Sequence, residues 1–237
     1  LTILDQIFPR VDISKKIIPN ILKNLNEGKW TNKREAITQI ENIILSTNKK
    51  ILPKGLNDLF ISLKNNLKDS NKNIVKLILK WICDLGESLG SQGFKNYQKQ
   101  VIPGIISNFQ DKNTQVREEA IKCINTLISI VGFDSIAAFL PTQLASDNFD
   151  SRLEILKLLS NNKNSFKNKK EYIKEFVTPL INCLLDRNLI IRNITEEIVQ
   201  EILKYYPSQL FSDSTKNLKP AIANQIKIII SKYVKLF

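Results

Sequence analysis

The sequence predicts an all-α HEAT-repeat solenoid, about six antiparallel helix pairs forming a flat paddle, and three observations carry that prediction. The first is VIPGIISNFQDKNTQVREEAIKCINTLISIVG, residues 101–132, in which two apolar stripes of helical period flank a short polar turn. Val101, Ile102, Ile105, Ile106 and Phe109 make the first stripe; Val116, Ala120, Ile121, Ile124, Leu127 and Ile128 make the second. The second observation is recurrence. With Ala120 as register, Ala36, Ile78, Ile155 and Thr195 fall at the same place in other segments, at steps of 42, 42, 35 and 40 residues. The third is shared wording. Three turns read Asp69-x-Asn71-x-x-Ile74, Asp111-x-Asn113-x-x-Val116 and Asp186-x-Asn188-x-x-Ile191, and three first helices carry Pro19, Pro103 or Pro179 after apolar residues. One helix pair cannot bury both its apolar faces, so such units stack, and a period near 40 is that of HEAT or armadillo repeats.

Taken in order, residues 1–12 (LTILDQIFPRVD) read as an incoming linker packed on the first repeat, and 13–237 as a single domain. Asp12 or Ser14 is placed to cap a helix running to Leu25. The turn NEGKWT follows, then a helix through Ile37, Ile40, Ile43 and Ile44. Trp30 sits in that turn, where Thr114 sits in the middle repeat and where the apolar period asks for nothing. It either folds back as a hydrophobic staple or stands out as an anchor for a partner, and the anchor is expected because tryptophan is enriched among binding hot spots.

The second repeat runs from Pro53 through Leu56, Leu59, Phe60, Leu63 and Leu67, turns at Lys68–Asn73, and continues through Ile74, Leu77, Ile78, Trp81, Ile82 and Leu85. Trp81 lies on the apolar stripe and is expected in the core. Gly86, Gly90 and Gly93 follow a helix and read as its end, not as a nucleotide-binding fingerprint. Gly132 is expected to close the second helix of the middle repeat. The fourth unit is atypical: Pro141 breaks its first helix, and 151–159 make a short second one. A lysine-rich insertion, 161–170, precedes the fifth pair, and Ile226, Ile228, Ile229, Ile230 and Val234 mark a last apolar helix that caps the array.

Composition narrows the chemistry. Hydrophobic residues make up 43% and charged residues 24% of 237, enough to bury a continuous core. The chain holds seven glycines and no histidine, and Cys83, Cys123 and Cys183 lie far apart in apolar helical patterns. Zinc sites, disulfide frameworks, glycine-rich phosphate loops and the usual nucleophile–base pairs are therefore not expected, nor a cofactor, and the thiols read as buried and reduced in a cytosolic setting. No apolar run is long enough to cross a bilayer. The chain opens on Leu1, without Met, and reads as a piece of a longer protein. A formal net charge of +12 favours an acidic partner, although lysines coating solvated helix faces account for much of it. The cations are not interleaved with stacking aromatics along a groove, so nucleic acid is not expected.

In a stack of helix pairs the turns within repeats line up along one edge. Here that edge carries Trp30, Thr31 and Lys33, then Lys72 and Asn73, Lys112 and Asn113, Asn148 and Phe149, and Arg187 and Asn188. Cations and amides with an aromatic anchor suit a flat acidic protein surface better than a small molecule. Asp69, Asp111 and Asp186 are expected to cap the second helices, and Arg117 and Arg192 to pair with an aspartate of an adjacent repeat.

The leading segment Phe8-Pro9-Arg10-Val11-Asp12-Ile13-Ser14, the turn GKWTNKREA and the turns DSNKN, DKNTQVR and DRNLIIR together resemble a TOG domain. The resemblance is to the ch-TOG/Minispindles family of microtubule polymerases, most of all to the fourth TOG domain, and covers Pro9 to about Val234. It implies a six-repeat paddle, monomeric as an isolated domain, that binds αβ-tubulin or the microtubule lattice through its intra-repeat turns, without catalysis, at cytoplasmic microtubules, spindle and centrosome. On that resemblance Trp30 matches the family's turn tryptophan and Arg187 the last basic tubulin-facing turn. Lys72, Asn73, Lys112 and Asn113 match less distinctively, and Asn148 with Phe149 departs from the basic pattern. The alternative is a HEAT scaffold that holds another protein on a concave helix surface.

Overall fold

In the computed structural model, residues 9–167, 169–216 and 218–234 are described, and among them the regular structure is helical apart from one isolated bridge. The chain separates into two compact units, Leu1–Ile136 and Ala137–Phe237. The first holds α1 (Pro19–Glu27) with α2 (Trp30–Leu45), then α3 (Asn57–Asn66) with α4 (Lys72–Lys95). It also holds α5 (Gln98–Ser107), prolonged by a 3-10 turn at Asn108–Gln110, with α6 (Thr114–Val131). A short α7 (Phe133–Ala137) follows. The second unit holds α8 (Pro141–Leu144) with α9 (Phe149–Asn161), α10 (Lys170–Leu184) with α11 (Leu189–Leu203), and α12 (Gln209–Ser214) followed by α13 (Pro220–Val234). In each unit first helices pack on second helices, and the second helices also pack side by side.

The register deduced from Ala120 marks the core. Ala36, Ile78, Ala120, Ile155 and Thr195 are all buried, and the Thr195 hydroxyl donates to the Ile191 carbonyl at 2.7 Å. Each sits six residues after the first residue of its second helix. Trp81 is buried as expected, and the Phe60 ring stacks on Tyr97 with centroids 4.4 Å apart. The short α7 and α8 replace a full first helix in the fourth repeat, and Gly132, with φ +84°, ends α6 by donating its N–H to the Ile128 carbonyl.

Several boundaries differ from the sequence reading. The first helix begins at Pro19, not at Asp12 or Ser14. Pro19 supplies a preset φ at a position whose N–H has no helical partner anyway, while Asp12 accepts the Ser14 N–H and hydroxyl in a local turn. The leading segment is tied to the second repeat: Val11 bridges Ile51, and Arg10 donates to the carbonyls of Ile51, Ser88 and Leu89 at 3.2, 2.8 and 2.8 Å. Residues 1–8 of the expected linker, and the side chain of Val234 in the capping helix, lie outside the described residues.

The glycine series does not end the second repeat's helix at Gly86. Gly86 lies against Leu127 and Ile130 of α6, and α4 runs on until Gly90, whose φ of +67° breaks the helical path before it resumes to Lys95. Arg10 covers the carbonyls released at that break. Within the lysine-rich insertion Phe166 is buried, in a 3-10 turn at Lys163–Phe166, where the Tyr206 hydroxyl donates to the Phe166 carbonyl and accepts the Lys169 N–H; Asn168 lies outside the described residues. Of the three cysteines, Cys123 and Cys183 are buried and Cys83 is partly exposed; burial pushes the Cys183 thiol up to about 12.

Candidate functional site

The Asp-x-Asn turns divide their labour between the two side chains. The aspartates do not cap the helices. Asp69, Asp111 and Asp186 each accept the N–H of the asparagine two residues on, at 2.7, 2.8 and 2.7 Å. The asparagines are the caps: Asn71 accepts the Asn73 N–H, Asn113 the Gln115 and Val116 N–H groups, and Asn188 the Ile190 N–H. Asn148 caps α9 in the same way through the Ser151 N–H. The reason is geometric: the aspartate is three residues before the helix, too early for a cap but right for the preceding Asx-turn.

The second carboxylate oxygen of each aspartate receives a cation from the preceding repeat. Lys33 reaches Asp69 at 2.6 Å, Lys72 reaches Asp111 at 2.6 Å and Arg152 reaches Asp186 at 2.5 Å. Lys33 also donates to the Asn66 side chain at 2.9 Å. Burial would raise the Asp69 and Asp111 carboxyls, but Lys33 with the Asn71 N–H, and Lys72 with the Asn113 N–H, hold them below the ordinary carboxylate value. Arg117 and Arg192 both donate to backbone carbonyls of their own turns. Arg117 serves the carbonyls of Asp111 and Lys112; Arg192 serves those of Asp186 and Arg187. Four of the five repeats thus place a cation at the fourth helical residue (Lys33, Arg117, Arg152, Arg192), where it fastens a turn. The second repeat has Val75 there, and Lys72 at the first helical residue takes over the link.

This sorts the sequence-predicted residues. In the first unit Trp30, Thr31, Asn73 and Lys112 are exposed on successive turns; in the second unit so are Phe149 and Arg187. Trp30 opens α2 with its side chain 55% exposed, and no fold-back buries it. Lys33 is occupied by its ion pair, Lys72 is half-exposed beside its own, and Asn113, Asn148 and Asn188 spend their side-chain oxygens on capping. Two residues of the fifth turn were missed. Leu189 and Ile190, the first two residues of α11, are 59% and 53% exposed and stand beside Arg187. Their signal was in the sequence: of Leu189-Ile190-Ile191, the helical period requires only Ile191 inside. The first residues of the second helices are therefore Trp30, Lys72 and Thr114 in the first unit, and Phe149 and Leu189 in the second. Among the described residues no group of three or more His, Cys, Asp or Glu side chains is arranged to hold a metal ion, and no helix is long and apolar enough to cross a membrane.

The model of the HEAT repeat matches residues 101–131, the unit from which the register was taken. Centrosomal protein 224 of Dictyostelium discoideum is 32% identical over 229 residues, covering 95% of this chain and 11% of that protein. Protein MOR1 of Oryza sativa subsp. japonica is 27% identical over 231 residues, covering 96% of this chain and 11% of that protein. The chain thus spans about one tenth of the length of the curated relatives it matches. A solved structure concerned with tubulin recruitment and assembly by microtubule polymerases with TOG domain arrays superposes with a TM-score of 0.70 at 20% identity, over 97% of this chain and 48% of that one. The fold is therefore shared with TOG-array structures, and the sequence relationship runs nearly end to end. A chain of HEAT pairs whose turns are linked from repeat to repeat is thus similar over nearly its whole length to Centrosomal protein 224 and MOR1, and it shares the fold of solved TOG domains.

Proposed function

We propose that this chain is a non-catalytic tubulin-binding module of a microtubule polymerase, that residues 13–237 act as one such module, and that it contacts αβ-tubulin through the tips of its intra-repeat turns. The observation that carries the reading is Trp30, a large apolar side chain held half out of the protein at the first residue of α2, on a turn whose neighbour is fixed by the Lys33–Asp69 link. A rigid, solvent-facing tryptophan has little conformational freedom to lose on binding and a large surface to bury. Lys112 and Arg187 supply positive charge at other tips, and Phe149, Leu189 and Ile190 supply apolar contact area. The Arg10, Asp12 and Ser14 positions of the leading segment support assignment to the fourth domain of an array. Growth promotion then comes from several linked modules that raise the local tubulin concentration. Such a module works at cytoplasmic microtubules, spindle and centrosome, as a monomer, without nucleic acid or membrane.

Size-exclusion chromatography with αβ-tubulin, beside microtubule co-pelleting, tests this with wild type and Trp30→Glu. The expected result is an association weakened by about 2 kcal/mol or more, roughly thirtyfold, in the variant. Unchanged affinity in Trp30→Glu removes the tip from the site, and turn variants that are silent throughout would favour a scaffold that binds on its helix faces.

A further inference from the structure

A groove of about 400 Å³ runs beside the Trp30 tip, across the N-terminal ends of the second helices of the first unit. Its walls are Trp30 and Arg34, one turn apart on α2, and Lys76 and Lys80, one turn apart on α4; Ile74 and Leu77 form an apolar floor. Glu119 of α6 also lines it. Lys76 is steadied by Gln115 of α6 at 2.6 Å, and Arg34 and Lys80 are exposed. The lining is therefore three cations against one carboxylate. The positive ends of the α2, α4 and α6 dipoles add to the same field.

We infer that this groove binds a short acidic peptide segment of a protein partner, extended across α2 and α4, with carboxylates on Arg34, Lys76 and Lys80 and an apolar side chain on Trp30 and Leu77. Charge complementarity selects the class. Lys76 and Lys80 stand one turn apart on α4 and Arg34 on α2, which matches carboxylates on both sides of an extended chain. A nucleic acid needs a continuous phosphate track and a series of stacking faces, and the groove offers one aromatic ring and a carboxylate, Glu119. The site adjoins the proposed turn-tip site and shares Trp30 and the Asn71–Asn73 turn with it, but Arg34, Lys76, Lys80 and Glu119 lie further along their helices.

The test is fluorescence polarisation at about 0.15 M salt, roughly physiological, with a labelled octapeptide of glutamates and one phenylalanine as probe and no tubulin present. Wild type is expected to bind saturably. Arg34→Glu/Lys80→Glu is expected to bind at least about tenfold weaker, and Lys64→Glu/Lys99→Glu, the same charge change on exposed lysines of α3 and α5, to match wild type. No saturable binding by wild type overturns the inference. So does equal weakening in both double variants, which would make it a response to net charge, or equal competition by an RNA octamer, which would make the class wrong. Because the assay lacks tubulin, its failure leaves the turn-tip reading standing. Failure of that reading, with Trp30→Glu still binding tubulin, leaves the groove to be judged on Arg34 and Lys80 alone.

Discussion

Asp111 uses its two carboxylate oxygens for two tasks: one accepts the Asn113 N–H and shapes the turn, and the other takes Lys72 and fixes the distance to the previous turn. Asp69 repeats this with Asn71 and Lys33. Asp111→Ala removes a charged acceptor from two donors at once and is expected to cost about 1–3 kcal/mol, read as a lower urea midpoint at unchanged slope. Arg187→Ala, at an exposed tip, should stay within about 0.5 kcal/mol. The same carboxylates give a pH signature. Their folded-state values lie below the ordinary one, so their contribution is present above about pH 4 and is lost as pH falls through the depressed folded values. An Asp69→Asn/Asp111→Asn variant is therefore expected to lose less stability than wild type between neutral pH and the acid transition in denaturant titrations. A steeper acid-side loss in the variant would contradict the linkage. At Cys183, where burial lifts the thiol to about 12, alkylation at neutral pH should be slower than at the partly exposed Cys83.

At the scale of elements, α4 is the most informative helix because it is broken and mended. Gly90 takes φ +67°, and a Cβ there would stand 2.8 Å from an Arg10 guanidinium nitrogen. Gly90→Ala meets both strain and this close approach and is expected to destabilise by about 1–3 kcal/mol. Arg10→Ala should instead speed amide exchange around residues 86–95, because three carbonyls lose a charged donor. The helix pairs and the core register were legible in the sequence, since the apolar period is strong and the turn wording repeats. The α4 break was not, because glycine after a helix reads as a stop unless a distant arginine is known to arrive. Nor was the start at Pro19, since Asp12 and Ser14 look like caps until their side chains are seen to bond each other's turn. In the site, residue type alone marked exposed Trp30, Lys112 and Arg187. It could not separate free tips from Lys33, whose partner Asp69 lies 36 residues on. Leu189 and Ile190 carry no such mark, because an apolar side chain at a helix start does not by its type announce that it faces solvent.

At the scale of the molecule, the turn tips mix charge and apolar surface, and the two behave differently with salt. A net charge of +12 steers an acidic partner and speeds encounter at low ionic strength. On the proposed reading, the apolar tips Trp30, Phe149, Leu189 and Ile190 would set how long the complex lasts. Leu189→Ser/Ile190→Ser is accordingly expected to raise the dissociation rate from αβ-tubulin several-fold at constant salt, whereas added salt should act mainly on the association rate. The central claim is that partner contact lies on the turn tips and not on the helix faces. Hydrogen exchange of this chain with and without αβ-tubulin tests it most directly. Protection is predicted in the peptides spanning 29–33, 70–74, 111–116, 147–151 and 187–191, with the first helices α1, α3, α5 and α10 unchanged. Protection confined to those first helices, with the five turns exchanging as in the free chain, would contradict it.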